Sequence, residues 1–138
     1  MESRIEKAKE KHRSGYNCSQ AIACAYCDLV GMEEPLMYQM MEGFGLGMGG
    51  MEGTCGALSG AAIIASLKIS RELPDSGHQR AAIYKATRTI VQKFKDKNES
   101  VICKEVKGIE TKRILRNCRG CVEDAAALLE EVVFNTKK

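Results

Sequence analysis

Residues 54–70, TCGALSGAAIIASLKIS, are apolar or small at nearly every position. A helix with that composition has no single greasy stripe to lay on a surface, so it must be enclosed on all sides. Its glycines and alanines let neighbouring backbones come close, and Thr54 is a good N-cap for it. Residues 55–70 therefore read as the buried central helix of an all-α fold.

The flanking segments supply the helices that enclose it. Residues 2–14 form a charged helix with a thin apolar stripe of Ile5, Ala8 and His12, ended by Gly15. Asn17 caps the next helix, with Gln20 as its capping-box partner and Gly31 as its stop. At about 100° per residue, Cys18 falls on one face with Ala21, Ile22, Ala25 and Leu29, while Cys24 and Cys27 project from the other side and read as incidental or interfacial. A third helix starts near Glu33, takes Pro35 in its first turn and runs through Met41. Beyond the central helix, residues 76–97 carry the stripe Ile83, Thr87, Ile90, Val91 and Phe94. Ser100 caps a short helix that holds Cys103 and ends at Gly108. Asn117 opens the last helix, with Cys118, Cys121, Val122, Ala125, Leu128, Leu129 and Val132 on one face and Glu123, Glu130 and Glu131 away from it. The Glu33–Glu34 and Glu130–Glu131 pairs read as solvated. No segment alternates long enough for a strand. The expectation is one domain over residues 1–138, an all-α bundle of five to six helices.

Composition narrows the function. At 138 residues the chain can bury a core without staples. Its 21 basic and 18 acidic residues leave a charge of only +3, and no basic stripe is interleaved with aromatics, so nucleic acid is not an expected partner. The longest apolar run, GALSGAAIIASL, is too short for a membrane span. The charged N-terminus is unlike a signal peptide, and the seven cysteines are an odd number. Together these point to a reducing cytoplasm, where cysteines serve as thiols, ligands or transient redox groups.

The cysteines are not scattered at random. Cys18, Cys55 and Cys118 directly follow Asn17, Thr54 and Asn117, and Cys103 lies three residues after Ser100. Each is thus placed in a first helical turn, where unpaired N–H groups and the helix dipole favour a thiolate. The two C-x-x-C pairs, Cys24–Cys27 and Cys118–Cys121, are too far apart for a compact zinc ribbon, and neither precedes a histidine as haem attachment requires. GLGMGG, residues 45–50, matches a bare GxGxxG without its strand–helix setting, and reads as a left-handed path into the central helix. Gly49, Gly50 and Gly53 are still candidate loop amides ahead of Cys55 for an anionic sulfur or substrate. Six of the seven methionines lie between Met32 and Met51; core filling is a simpler account of them than Cu(I) binding. His12 and His78 carry no surrounding motif.

SGYNCSQAI, GFGLGMGGMEGTCGALSGA, SVICKEVKG and NCRGCVEDAAALLEE occur in this order over nearly the whole chain. The combination resembles the redox-active family named C_GCAxxG_C_C. Cys55 to Gly60 carries its CGAxxG motif, and Cys18, Cys103 and Cys118 match its other cysteines. The resemblance implies a small helical protein with a four-cysteine redox or metal-binding role. Relatives joined to split-Soret haem proteins add an electron-transfer flavour, but the haem attachment element is missing here. The interval from Cys103 to Cys118 looks shortened, and Cys121 is a possible substitute for Cys118.

Three readings follow. In the first, the protein performs thiol redox chemistry, with Cys55 attacking and Cys18, Cys103 or Cys118 resolving, against a redox partner protein or a small thiol substrate. In the second, Cys18, Cys55, Cys103 and Cys118 ligate zinc or an iron–sulfur cluster. In the third, the chain is an interaction module with structural cysteines. No cofactor is assigned, and a homo-oligomer without a membrane partner is expected.

Overall fold

The computed structural model describes residues 1–73 and 77–134. Among these residues the chain is all-α: α1 (Ile5–Arg13), α2 (Cys18–Tyr26), α3 (Glu34–Met41), α4 (Gly56–Glu72), α5 (Gln79–Asn98), α6 (Cys103–Lys107) and α7 (Cys118–Val132). Seven helices form rather than five to six, one for each segment whose sequence reads as helical. The expected start of the long helix at residue 76 lies outside the described residues. No helix among the described residues is long and apolar enough to cross a membrane.

The centre is shared by α2 and α4. Eight of the nine α2 residues are buried, while α4 is buried mainly over its first half, from Gly56 to Ala65. The two pack backbone against backbone where α4 carries glycine: a Cβ added at Gly60 would lie 2.6 Å from the Ser19 carbonyl oxygen, and one at Gly56 would lie 3.3 Å from the Ser19 nitrogen. The CGAxxG glycines thus let the start of α4 press against the start of α2. Helices α1, α5 and α7 close the other sides.

Packing overrides helix-face arithmetic in several places. Cys24 and Cys27, expected on the side away from the core, are 2% and 3% exposed, because α3 folds back over that side and brings the Glu34 carbonyl oxygen to 3.9 Å from Cys24 Sγ. Leu29, expected inward, is exposed, because the chain tightens into a 3-10 turn from Cys27 to Val30 and the turn buries Val30 instead. Met37 and Met41 fill the core, whereas Met40 and Met48 are exposed.

The largest departure is Glu130, which is fully buried rather than solvated. Its Oε2 accepts hydrogen bonds from the Tyr26 hydroxyl at 2.5 Å, the Arg4 N–H at 2.6 Å and the Ser3 hydroxyl at 3.2 Å. The carboxylate takes up an unpaired donor at the start of α1, where negative charge is favoured. Asp124, one and a half turns earlier in α7, is also buried. It accepts from Arg116 Nε at 3.1 Å, Lys97 Nζ at 2.7 Å and Asn98 Nδ2 at 3.1 Å. Burial alone would raise the Asp124 pKa, but these donors outweigh it and hold the carboxyl below its usual range. The network ties the end of α5 to the segment that leads into Cys118.

Candidate functional site

Two of the four expected caps form as read. The Asn17 side chain accepts the Gln20 N–H at 2.9 Å in a full capping box, and the Asn117 side chain accepts the Gly120 N–H at 2.7 Å. These place Cys18 and Cys118 at the first positions of α2 and α7.

Cys55 and Cys103 are positioned differently. Thr54 does not cap α4, because its backbone is taken up in an antiparallel bridge with Ile102. The Cys55 N–H donates to the Val101 carbonyl at 2.7 Å, and the Cys103 N–H donates to the Gly53 carbonyl at 2.9 Å. Cys55 itself therefore becomes the N-cap residue of α4, with the Ala57 and Leu58 amides drawing on its sulfur. Ser100 does not cap α6 either; its hydroxyl accepts the Ile102 N–H at 3.1 Å and leaves Ile102 as the cap position.

Cys18, Cys55, Cys103, Cys118 and Cys121 line one cavity of about 160 Å³, whose wall also includes Leu46, Val106, His12 and Lys107. All seven cysteines of the chain are free thiols. Cys24 and Cys27 are elsewhere, beside Met32 and Glu34. Gly49 and Gly50 are exposed, and a Cβ at either would meet open space. Gly53 contributes through its backbone, its carbonyl receiving the Cys103 N–H and its own N–H donating to the Gly47 carbonyl at 3.0 Å. One loop glycine with a steric role at the site is Gly47: its φ is +54°, and a Cβ there would lie 2.3 Å from the Cβ of Cys103. Around it Leu46, Met48 and Met51 also take positive φ, a strained path that brings the Leu46 side chain to the cavity.

Within the cavity the thiols influence one another's ionisation, Cys18 with Cys118 and Cys55 with Cys121. In the first pair Cys118 holds the charge. The Cys18 thiol favours its ionised form, Lys107 Nζ lies 3.4 Å from its Sγ, and its pKa falls to about 5 against the opposing effect of partial burial. Cys18, beside that thiolate and partly desolvated, is pushed far up. In the second pair Cys121 lowers Cys55, while Cys121 itself rises through Cys55 and through burial. Such pairs titrate jointly, one proton per pair leaving readily and the second being retained. Burial followed by the charge on Cys55 raises Cys103.

His12 and Lys107 carry functional weight that the sequence reading did not assign them. His12 Nε2 lies 3.9 Å from Cys18 Sγ, and burial lowers the imidazole pKa so that it stays neutral. For Lys107, burial disfavours the ammonium, but the Cys118 thiolate more than offsets this. Both were signalled: His12 sits on the only apolar stripe of α1, and Lys107 follows Cys103 by one helical turn.

The arrangement supports thiolate chemistry at neutral pH. Among the described residues no three of His, Cys, Asp and Glu are grouped so as to hold one metal ion. A family model described as "Putative redox-active protein (C_GCAxxG_C_C)" matches residues 16–132. No curated protein and no solved structure matches the chain.

Proposed function

The chain belongs to the C_GCAxxG_C_C family of redox-active proteins, and we propose that it is a thiol–disulfide exchange protein in which Cys118 attacks and Cys18 resolves. The observation that carries this reading is the setting of Cys118: partly exposed at the cavity, favoured as a thiolate by Cys18 and 3.4 Å from the Lys107 ammonium. Cys55 is less suited to attack from outside, being 5% exposed behind the glycine loop.

In the first step the Cys118 thiolate attacks one sulfur of a disulfide substrate, forming a mixed disulfide and expelling the other half as a thiolate. Cys18 then gives up its proton, with the neutral His12 imidazole as the nearest base, and attacks the Cys118 sulfur. The second half of the substrate leaves as a thiol carrying that proton. The substrate gains two electrons, and the protein holds a Cys18–Cys118 disulfide. Two small-molecule thiols, leaving as their disulfide, or one partner dithiol reverse the sequence. If the cysteines only packed, nothing would call for a cation and a second thiol converging on one sulfur.

The test is a thiol count in glutathione redox buffers under anaerobic conditions, read by alkylation and intact mass. The count should fall by two at a defined potential, and Cys118→Ser should markedly slow the approach to that count. Seven free thiols at every potential, or stoichiometric zinc or iron in anaerobically purified protein, would overturn the reading.

A further inference from the structure

We propose that the second pair, Cys55–Cys121, is an internal acceptor that takes the disulfide over from Cys18–Cys118, making the cavity a two-dithiol relay. The inference rests on the exchange reading above and adds a direction and two residues to it. Its basis is the placement of four cysteines on the wall of one cavity with graded access. Cys18 and Cys118 are partly exposed, whereas Cys55 and Cys121 are 5% and 3% exposed. An external disulfide of any size therefore meets the outer pair first.

The two pairs are within reach of one another. Cys118 and Cys121 are one turn apart on α7, and the Gly56 and Gly60 contacts hold the head of α4 against the head of α2, which carries Cys18. Cys18 feels the charge of Cys55, and Cys121 feels those of Cys18 and Cys118.

The transfer needs no external reagent. With the outer pair oxidised, the Cys55 thiolate attacks the Cys18 sulfur and expels Cys118 as a thiolate beside Lys107, the better of the two leaving groups. Cys121 then attacks the Cys55 sulfur, and its proton passes to the departing Cys18. The inner disulfide has formed, the outer pair is again one thiol and one thiolate, and charge, protons and electrons balance. Stabilising the reduced form of a pair makes its disulfide more oxidising. The outer pair has Lys107 to stabilise its thiolate, 3.4 Å away. The inner thiolate has helix amides, whereas among the described residues Lys107 is the only lysine or arginine in the cavity wall. Oxidation of the inner pair also removes a buried charge. Both effects drive the disulfide inward.

The experiment oxidises the full chain with one equivalent of dithiodipyridine, quenches with acid at successive times, alkylates and maps disulfides by mass. Cys18–Cys118 should appear first and decay into Cys55–Cys121. Cys121→Ser, and Cys121→Ala as a second variant in case the first is unstable, should retain Cys18–Cys118 without forming the inner bond. A Cys18–Cys118 bond that persists in the wild type, or an inner bond that forms as fast in Cys118→Ser, overturns the relay but not the exchange reading. If no disulfide forms, both fail.

Discussion

At acid pH Cys118 should separate from every ordinary thiol, and the size of the effect follows from its setting. An unperturbed thiol titrates near ~8.5, whereas the Cys18 thiol, with help from Lys107, brings Cys118 to about 5. Near pH 7 this gain is nearly invisible in rate: the thiolate fraction rises about 30-fold, but a weaker base is a poorer nucleophile by about 40-fold at a Brønsted slope of ~0.45. Near pH 5 an ordinary thiol is only about one part in 3,000 ionised and Cys118 about half, so a net advantage of about 40-fold remains. Release of thiopyridone from dithiodipyridine, which reacts in acid, measures this across the pH range. The wild type should show one fast cysteine with an inflection near 5, mapped by mass to Cys118. Cys18→Ala removes the largest single cause and should move the inflection upward; Lys107→Ala should move it the same way by less. A profile without a fast phase near pH 5, or one indifferent to Cys18→Ala, refutes the reasoning.

Gly60→Ala would place a Cβ 2.6 Å from the Ser19 carbonyl oxygen. The overpacking costs about 1–3 kcal/mol and the gain in helix propensity offsets at most about 1, so the urea midpoint should fall; an unchanged midpoint would mean that α2 and α4 do not meet there. Tyr26→Phe removes a donor from the buried Glu130 carboxylate, and urea unfolding should show a loss of about 1–3 kcal/mol. Asp124 is held below its unfolded pKa, so its contribution is complete above ~3.9 and is lost as pH falls through the lower folded value. Asp124→Asn should cost about 2–3 kcal/mol at neutral pH and should flatten the acid decline in the urea midpoint. Parallel pH profiles for wild type and variant would contradict this.

Much of the helical layout was legible because its signals are local. Asn17 and Asn117 act through their own side chains on amides three residues ahead, so sequence spacing alone places Cys18 and Cys118. Cys55 and Cys103 reach the cavity by a route that sequence spacing does not encode, the Thr54–Ile102 bridge between segments nearly fifty residues apart. That bridge overrides the capping chemistry of Thr54 and leaves Cys55 as its own cap. The inward turn of Cys24 and Cys27 depends on where α3 folds. The burial of Glu130 depends on Tyr26 and the start of α1, distant partners that neutralise the cost of a carboxylate on what otherwise reads as a polar face. The CGAxxG spacing was visible from the start, but its physical meaning, two glycines one turn apart against the head of α2, needed the partner helix. Cys121 was visible as a substitute for Cys118; the proposed relay gives it Cys55 as a partner instead.

The central claim is that the cavity cysteines work as two specific pairs. A disulfide map of the wild-type chain, oxidised to equilibrium by one equivalent of a small disulfide and quenched in acid, tests it most directly. The account predicts one intramolecular bond per chain, between Cys55 and Cys121 at equilibrium with Cys18–Cys118 as its precursor. A bond between Cys24 and Cys27, a bond to Cys103, or no bond at all would contradict it.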